Sequence, residues 1–418
     1  MIVAHRAFGA DALGQIGLGL IALVAGAVFV VRVGRHDLAV SRSVSPQRVP
    51  AERVVSVDLN VRNQGRGAAP LVLMEDTIPA SLGIRARFAF SGIESHGDRS
   101  ASYRLRPHTR GRYQLGPVEV SYLDPFSLAR SRALIRSQSD LLVHPKIEEL
   151  TLPRDFGERR TLSTSALRRP TGGEGEDFYT LREYVEGDDL RKIHWPSTAK
   201  RQRYMIRQEE TPWHNRATVI LDDRFDAHGT AGAFERAVEA TASVVNLYHR
   251  AGYAFRLAGA HEPGFPTARG SGHYNRCLDL LATITLRKTS TPRPNEVDPM
   301  LAARFADLEA RDAGTGTLVL VTGDLTPDAA IGLANAARGF SQVIAIAFPS
   351  HRFGSQPTRA RWEGERVTVE GVGLLNRSGV RAIVLGPEDR LAVAWAALSR
   401  TTSGTGGDRP WERKPEPV

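Results

Sequence analysis

A single cysteine, Cys277, stands among 418 residues. An intramolecular disulfide is therefore impossible, and a cysteine-rich zinc site is excluded. Catalytic motifs are equally scarce. No Gly-x-Ser-x-Gly elbow occurs, and Gly172-Gly-Glu-Gly-Glu176 lacks the Lys-Ser/Thr of a phosphate-cradling loop. Acidic residues are outnumbered, 46 Asp and Glu against 55 Lys and Arg, for a formal net charge of +9. That excess permits contact with anionic lipid, nucleic acid or an acidic partner and selects none of them. A hydrophobic fraction of 41% with 24% charged residues fits a globular chain, long enough for two or three domains with real cores.

One long stretch lacks charge altogether. Ala12–Val31 is bracketed by Asp11 and Arg32, and Gln15 is its only strongly polar residue. Twenty apolar residues at about 1.5 Å each match the hydrocarbon thickness of a bilayer, so a transmembrane anchor is expected here. A cleaved signal peptide fits less well, because the run is too long and no small-x-small site follows it. Arg32, Arg35, Arg42 and Arg48 follow the stretch and only Arg6 precedes it, which puts the large C-terminal part in the cytoplasm.

Residues 38–52, polar with Pro46 and Pro50, read as a linker. Val55, Val57, Leu59 and Val61 then alternate with polar residues as a half-buried strand does. Further strands are expected at Leu71–Met74, Ala101–Leu105, Tyr113–Tyr122 and Leu141–His144, and together they predict a small β-sandwich. Residues 153–178, rich in Arg, Gly and Thr, read as a connection. From Ala217 the pattern changes. Strands at Thr218–Leu221, Ala254–Leu257, Thr317–Val321, Gln342–Phe348 and Val380–Leu385 alternate with helices. The helices are expected at Phe234–Arg250, Tyr274–Leu286, Pro299–Ala310, Asp328–Arg338 and Pro387–Leu398. That alternation predicts a doubly wound parallel sheet.

Thr180 to Lys200 is the most information-dense stretch. It contains Arg182, Tyr184, Gly187, Asp188, Arg191, His194, Trp195 and Lys200. Trp, Tyr and Arg are the residue types that anchor interfaces. Asp188, His194 and Ser197 do not make a hydrolase triad on this reading, since no separate elements bring them together. Arg182, Asp188 and Arg191 are expected to pair within the domain, with Tyr184 and Trp195 buried, and a docking face is the further reading.

This stretch resembles the signature of the bacterial family called domain of unknown function 58. The resemblance implies a membrane-anchored protein with a von Willebrand factor A-like domain and a MoxR-type AAA+ ATPase as partner. It further implies an α+β multidomain layout: anchor at 1–36, β-sandwich at 37–150, connecting and signature segment at 151–216, α/β domain at 217–400, and a disordered tail at 401–418.

In an open parallel sheet, ligands gather at the carboxyl ends of the strands. Asp222, Asp223 and Asp226 follow the first expected strand, and Asp324 follows Val321. A von Willebrand A domain carries Asp-x-Ser-x-Ser at the first position and binds Mg²⁺ there. Here the run is Asp222-Asp-Arg-Phe-Asp226, so Arg224 and Asp226 stand where the serines belong. A guanidinium cannot coordinate a cation, which leaves Asp222, Asp226 and Asp324 as a degenerate site and an Asp–Arg network as the expectation.

The function expected is a non-catalytic, membrane-anchored adaptor acting with the ATPase in assembling or maturing protein complexes. No metal, cofactor or nucleic acid is expected. The alternatives are a Mg²⁺-dependent hydrolase at the three carboxylates, and a nucleic-acid or lipid-headgroup binder using the basic run Arg191–Arg207.

Overall fold

The computed structural model describes residues 11–33, 37–83, 85–124, 126–152, 179–184, 193–209, 216–287, 316–336, 340–354 and 358–398. The chain divides into two compact units, residues 1–146 with 278–283, and residues 147–277 with 284–418. The architecture is mixed α+β with several sheets.

The first unit opens with helix α1 (Asp11–Val33) and continues as β1 (Leu38–Ser45), β2 (Arg48–Pro50), β3 (Val55–Asn63), β4 (Ala69–Asp76) and β5 (Ala86–Ile93). It then adds β6 (Asp98–Leu105), β7 (Gly111–Leu115), β8 (Val118–Leu123), β9 (Arg130–Ile135) and β10 (Ser139–His144). Sheet β1-β3-β6 faces sheet β5-β4-β8-β9, and a smaller sheet β2-β10-β7 closes one end. In β3, Val55, Val57, Leu59 and Val61 are all buried, as strict alternation requires. Leu59, Val61, Val72, Met74, Val118 and Val120 share one core between the two larger sheets.

Residues 38–52 are therefore not a linker. Leu38 and Val44 turn inward and β1 pairs with β3 along its whole length. The sequence obscures this strand because Arg42 breaks its apolar face. The Arg42 side chain is fully buried and bonds Asp76 through both Nε and Nη2. Its Nη1 donates to the carbonyls of Leu115 (2.9 Å) and Ser137 (2.6 Å). Tyr103 donates to Asp76 Oδ2 at 2.6 Å. The single strand expected at Tyr113–Tyr122 is instead two, β7 and β8, separated by Gly116-Pro117. Gly116 has φ +92°, and a Cβ there would stand 2.1 Å from Ser137 O and 2.6 Å from the Arg42 guanidinium, so only glycine fits.

The membrane-spanning helix expected at 12–31 is not shown. Among the described residues no helix is long and apolar enough to cross a membrane. In α1, Ile16, Leu18, Leu20 and Phe29 are exposed, whereas Ala27 and Val31 are buried.

In the second unit, β11 (Tyr179–Glu183) and β12 (Met205–Glu209) pair antiparallel, with the short helix α2 (Trp195–Arg201) between them in sequence. A six-stranded sheet follows. Its strands are β13 (Arg216–Leu221), β14 (Ala254–Gly259), β15 (Phe265–Ala268), β16 (Thr317–Thr322), β17 (Gln342–Ala347) and β18 (Arg381–Val384). Their order is β15-β14-β13-β16-β17-β18, all parallel except the edge strand β15. The central strands are continuous apolar runs because both faces are covered. Helices α6 (Pro327–Ala336) and α7 (Thr358–Arg377) pack on the face bearing Ile220, Leu318, Leu320 and Ala345. Helix α4 (Ala231–Arg250) lies along β13, β14 and β16, and α5 (Ser271–Thr283) and α8 (Leu391–Ala397) complete the described helices, with one further turn, α3 (Phe225–His228).

The alternating strands and helices appear where their periodicity placed them, within a few residues. The helix α7 was not expected. The helix expected at Pro299–Ala310 lies outside the described residues, as do 153–178 and the tail from Thr401.

Candidate functional site

The carboxyl end of β13 carries Asp222 and Asp223, both fully buried. Asp222 is closed off by its own neighbour. Arg224 Nε donates to Oδ1 at 2.8 Å and Nη2 to Oδ2 at 2.6 Å, a bidentate pair, and Thr322 Oγ1 donates to Oδ2 at 2.9 Å from the end of β16. Burial pushes the Asp222 carboxyl up, but the Arg224 hydrogen bonds and charge more than reverse this and hold it below the usual carboxylate range. His228, at the end of α3, donates Nε2–H to the Asp222 carbonyl at 2.6 Å. Burial there disfavours the imidazolium and lowers its pKa, with Asp222 opposing.

Asp324 stands past β16 and is spent differently. Its Oδ1 accepts from Ser350 N at 2.8 Å and its Oδ2 from Ser350 Oγ at 2.7 Å. Gly323 lets the chain pass this point, since a Cβ there would lie 2.1 Å from Ala227 O. Asp226 is exposed in the first turn of α3. The three candidate carboxylates thus have separate environments, and the described residues contain no group of three or more His, Cys, Asp or Glu able to hold a metal. A cation could reach Asp222 only by displacing Arg224. Thr322, Ser350 and His228 were not singled out from sequence, because nothing in a lone Thr, Ser or His announces that a strand end will bring it to a carboxylate.

The second candidate is the signature segment. Gly187, Asp188 and Arg191 lie outside the described residues, and for Arg182 only the strand position in β11 is described. The rest forms a small closed unit. His194 N donates to Met205 O at 2.8 Å, Tyr184 N to Tyr204 O at 2.8 Å, and Ile193 bridges Ile206. His194 caps α2, its Nδ1 lying 2.9 Å from Ser197 Oγ. Pro196 occupies the first turn, where its missing N–H costs nothing. Thr198 Oγ1 accepts from Met205 N at 3.0 Å and ties the helix to β12.

Trp195 corrects an expectation. It is not buried: 64% of its surface faces solvent. Tyr204 is exposed as well, its ring edge-on to half-buried Tyr184 at 6.3 Å, and Lys200, Arg201 and Arg203 are exposed, Arg203 donating to Glu183 Oε1 at 2.9 Å. The helix is too short to bury one face, and its backbone bonds to β12 fix it without using the indole.

Comparison with known proteins places this segment in a family. The sequence pattern of the family described as "Protein of unknown function DUF58" matches residues 180–361, from β11 into α7. The uncharacterized protein YeaD of Bacillus subtilis is 25% identical over 238 residues, which is 54% of this chain and 54% of that protein. The chain thus spans about half the length of that relative. Among solved structures, the CARDB domain of a Pyrococcus furiosus protein aligns with 26% of this chain and 93% of that one, at 15% identity and a TM-score of 0.20. The ApaA protein of Bordetella pertussis aligns with 26% of this chain and 94% of its own, at 12% identity and a TM-score of 0.20.

Proposed function

We propose, on the premise that this is a DUF58-family chain, that it is a non-catalytic adaptor, anchored in the membrane through residues 12–31 and acting with a MoxR-type AAA+ ATPase. The observation that carries this reading is the exposed indole of Trp195 on a short helix that His194 N and Thr198 Oγ1 tie to β12. An exposed Trp on a segment that also exposes Tyr204, Lys200 and Arg201 has the composition of a protein-docking patch. The clients of such an assembly would be protein complexes undergoing maturation.

The α/β unit is read as von Willebrand A-like. Its support is a parallel sheet whose first strand sits centrally and ends in a buried aspartate. The hydrolase alternative loses support because both oxygens of Asp222 are taken by Arg224 and Thr322. The anchor reading rests on the uncharged sequence 12–31 and on the exposed apolar side chains of α1, although among the described residues no helix is long and apolar enough to cross a membrane. With the arginines that follow it, both soluble units lie in the cytoplasm.

Two measurements test the reading. The full chain should sediment with membranes and resist alkaline extraction, and recovery in the soluble fraction would refute the anchor. From detergent extracts it should co-purify the ATPase, and Lys200→Glu combined with Arg201→Glu should abolish that co-purification without lowering the yield of folded protein. Undiminished co-purification would remove this segment from the interface.

A further inference from the structure

The sandwich has two ends, and strand register tells which of them α1 leaves from. Residue 33 ends α1 and residue 38 begins β1, so at most about 17 Å of extended chain separates them. Leu38 pairs with Asn63, the last residue of β3. The next strand, β4, starts at that same end, and its Leu71 pairs with Leu123, the last residue of β8. The turn joining β8 to β9 therefore lies at the end of the sandwich from which α1 departs. Helix α1 also packs against β9.

That turn is built to hold two apolar side chains outward. Buried Asp124 accepts from Phe126 N at 2.8 Å through Oδ2 and from Ala129 N at 2.6 Å through Oδ1. Ser127, at φ +57°, closes the turn with a bond from its N to Asp124 O at 3.0 Å. Phe126 is 66% exposed and Leu128 46%. Behind them on β9 stand exposed Arg130, which donates to Ser121 Oγ at 2.7 Å, and exposed Arg132, 3.4 Å from the Glu119 carboxylate.

We propose that this turn is a second membrane contact: Phe126 and Leu128 enter the headgroup layer of the bilayer in which α1 is anchored, and Arg130 and Arg132 meet lipid phosphates. Apolar and aromatic tips with basic residues just behind them match the order of environments met on entering an anionic bilayer. The short connection from α1 brings this end of the sandwich to the surface, so the contact is made without a separate association step. The proposal rests on the anchor reading given above, and its test separates the two.

Phe126→Cys, Leu128→Cys, Leu20→Cys and Val54→Cys are each labelled with an environment-sensitive fluorophore in the full chain. Native Cys277 is buried, and burial pushes its thiol up to about 12, so it does not compete. Val54 is exposed at the opposite end of β3 and serves as the solvent control. The proteins are reconstituted into vesicles of phosphatidylcholine and phosphatidylglycerol whose acyl chains carry bromine. The labels at 126 and 128 should lose at least half of their emission relative to unbrominated vesicles, and the label at 54 should lose none. Quenching at 20 with none at 126 and 128 overturns the turn's contact and leaves the anchor standing. Quenching at 126 and 128 without any at 20 overturns the anchor and retains the turn as a peripheral contact. No quenching at any position overturns both.

Discussion

Each unit of this protein hides an aspartate–arginine pair, and the two pairs do opposite things. In the sandwich, Arg42 and Asp76 come from strands far apart in sequence, both side chains are fully buried, and the pair is finished by Tyr103 and two carbonyls. It fastens β1 against β4 and has no route to solvent. In the α/β unit, Asp222 and Arg224 are two residues apart, and the Arg224 side chain keeps 14% of its surface exposed. That pair is formed by neighbours in sequence, with Thr322 from the end of β16 as a further donor to Asp222. It neutralises a buried carboxylate at the end of β13, where a ligand would otherwise be received. One pair is therefore a long-range fastener, and the other is a local plug.

Removing one member of each pair should separate these roles. Asp76→Ala leaves the Arg42 charge buried and unpaired, which costs about 3–5 kcal/mol, and chemical denaturation should show the sandwich lost or severely weakened. Asp222→Ala should cost less, about 2 kcal/mol, because Arg224 can turn toward water once released. Equal losses from the two substitutions would break the comparison.

A smaller effect tests the surroundings of the plug by pH. Burial holds His228 and His273 below the ordinary histidine value, so the folded state resists a proton that the unfolded chain accepts. The resulting stability is complete above about pH 6.5 and falls as pH drops below it, by up to about 1.4 kcal/mol per pH unit for each histidine. His228→Gln should flatten the stability profile between pH 6.5 and 5. An unchanged slope would show that His228 binds its proton equally well in the folded and unfolded chain.

How much of this was legible in the chain varies with the signal. The apolar run ending at Leu221 identified β13, and with it the placing of Asp222 at a strand end, since period and length are read directly from sequence. That Arg224 would close on Asp222 was legible too, because the two are nearly adjacent. Strand β1 was not, because Arg42 reads as surface charge until its partner on β4 is known. Helix α7 was hidden by Gly364, Gly371 and Gly373, three poor helix formers within one run. Glycine serves close packing there, since a Cβ at 371 would lie 2.4 Å from Leu325 O. Trp195 misled for a related reason. Large aromatics are usually buried, and only the bonds of α2 to β12 show that this one is not needed inside.

The smallest expected effect on stability is also the most direct test of the account. Trp195→Ala removes an exposed side chain, so the unfolding free energy should change by no more than about 0.5 kcal/mol. If the indole anchors the ATPase, the same substitution should weaken binding by about 2 kcal/mol or more, roughly 30-fold in Kd. Titrating purified MoxR-type ATPase against the wild-type and Trp195→Ala proteins, with unfolding followed in parallel, gives both numbers. The account predicts a large loss of affinity at unchanged stability. Unchanged affinity, or a loss that merely tracks unfolding, would contradict it.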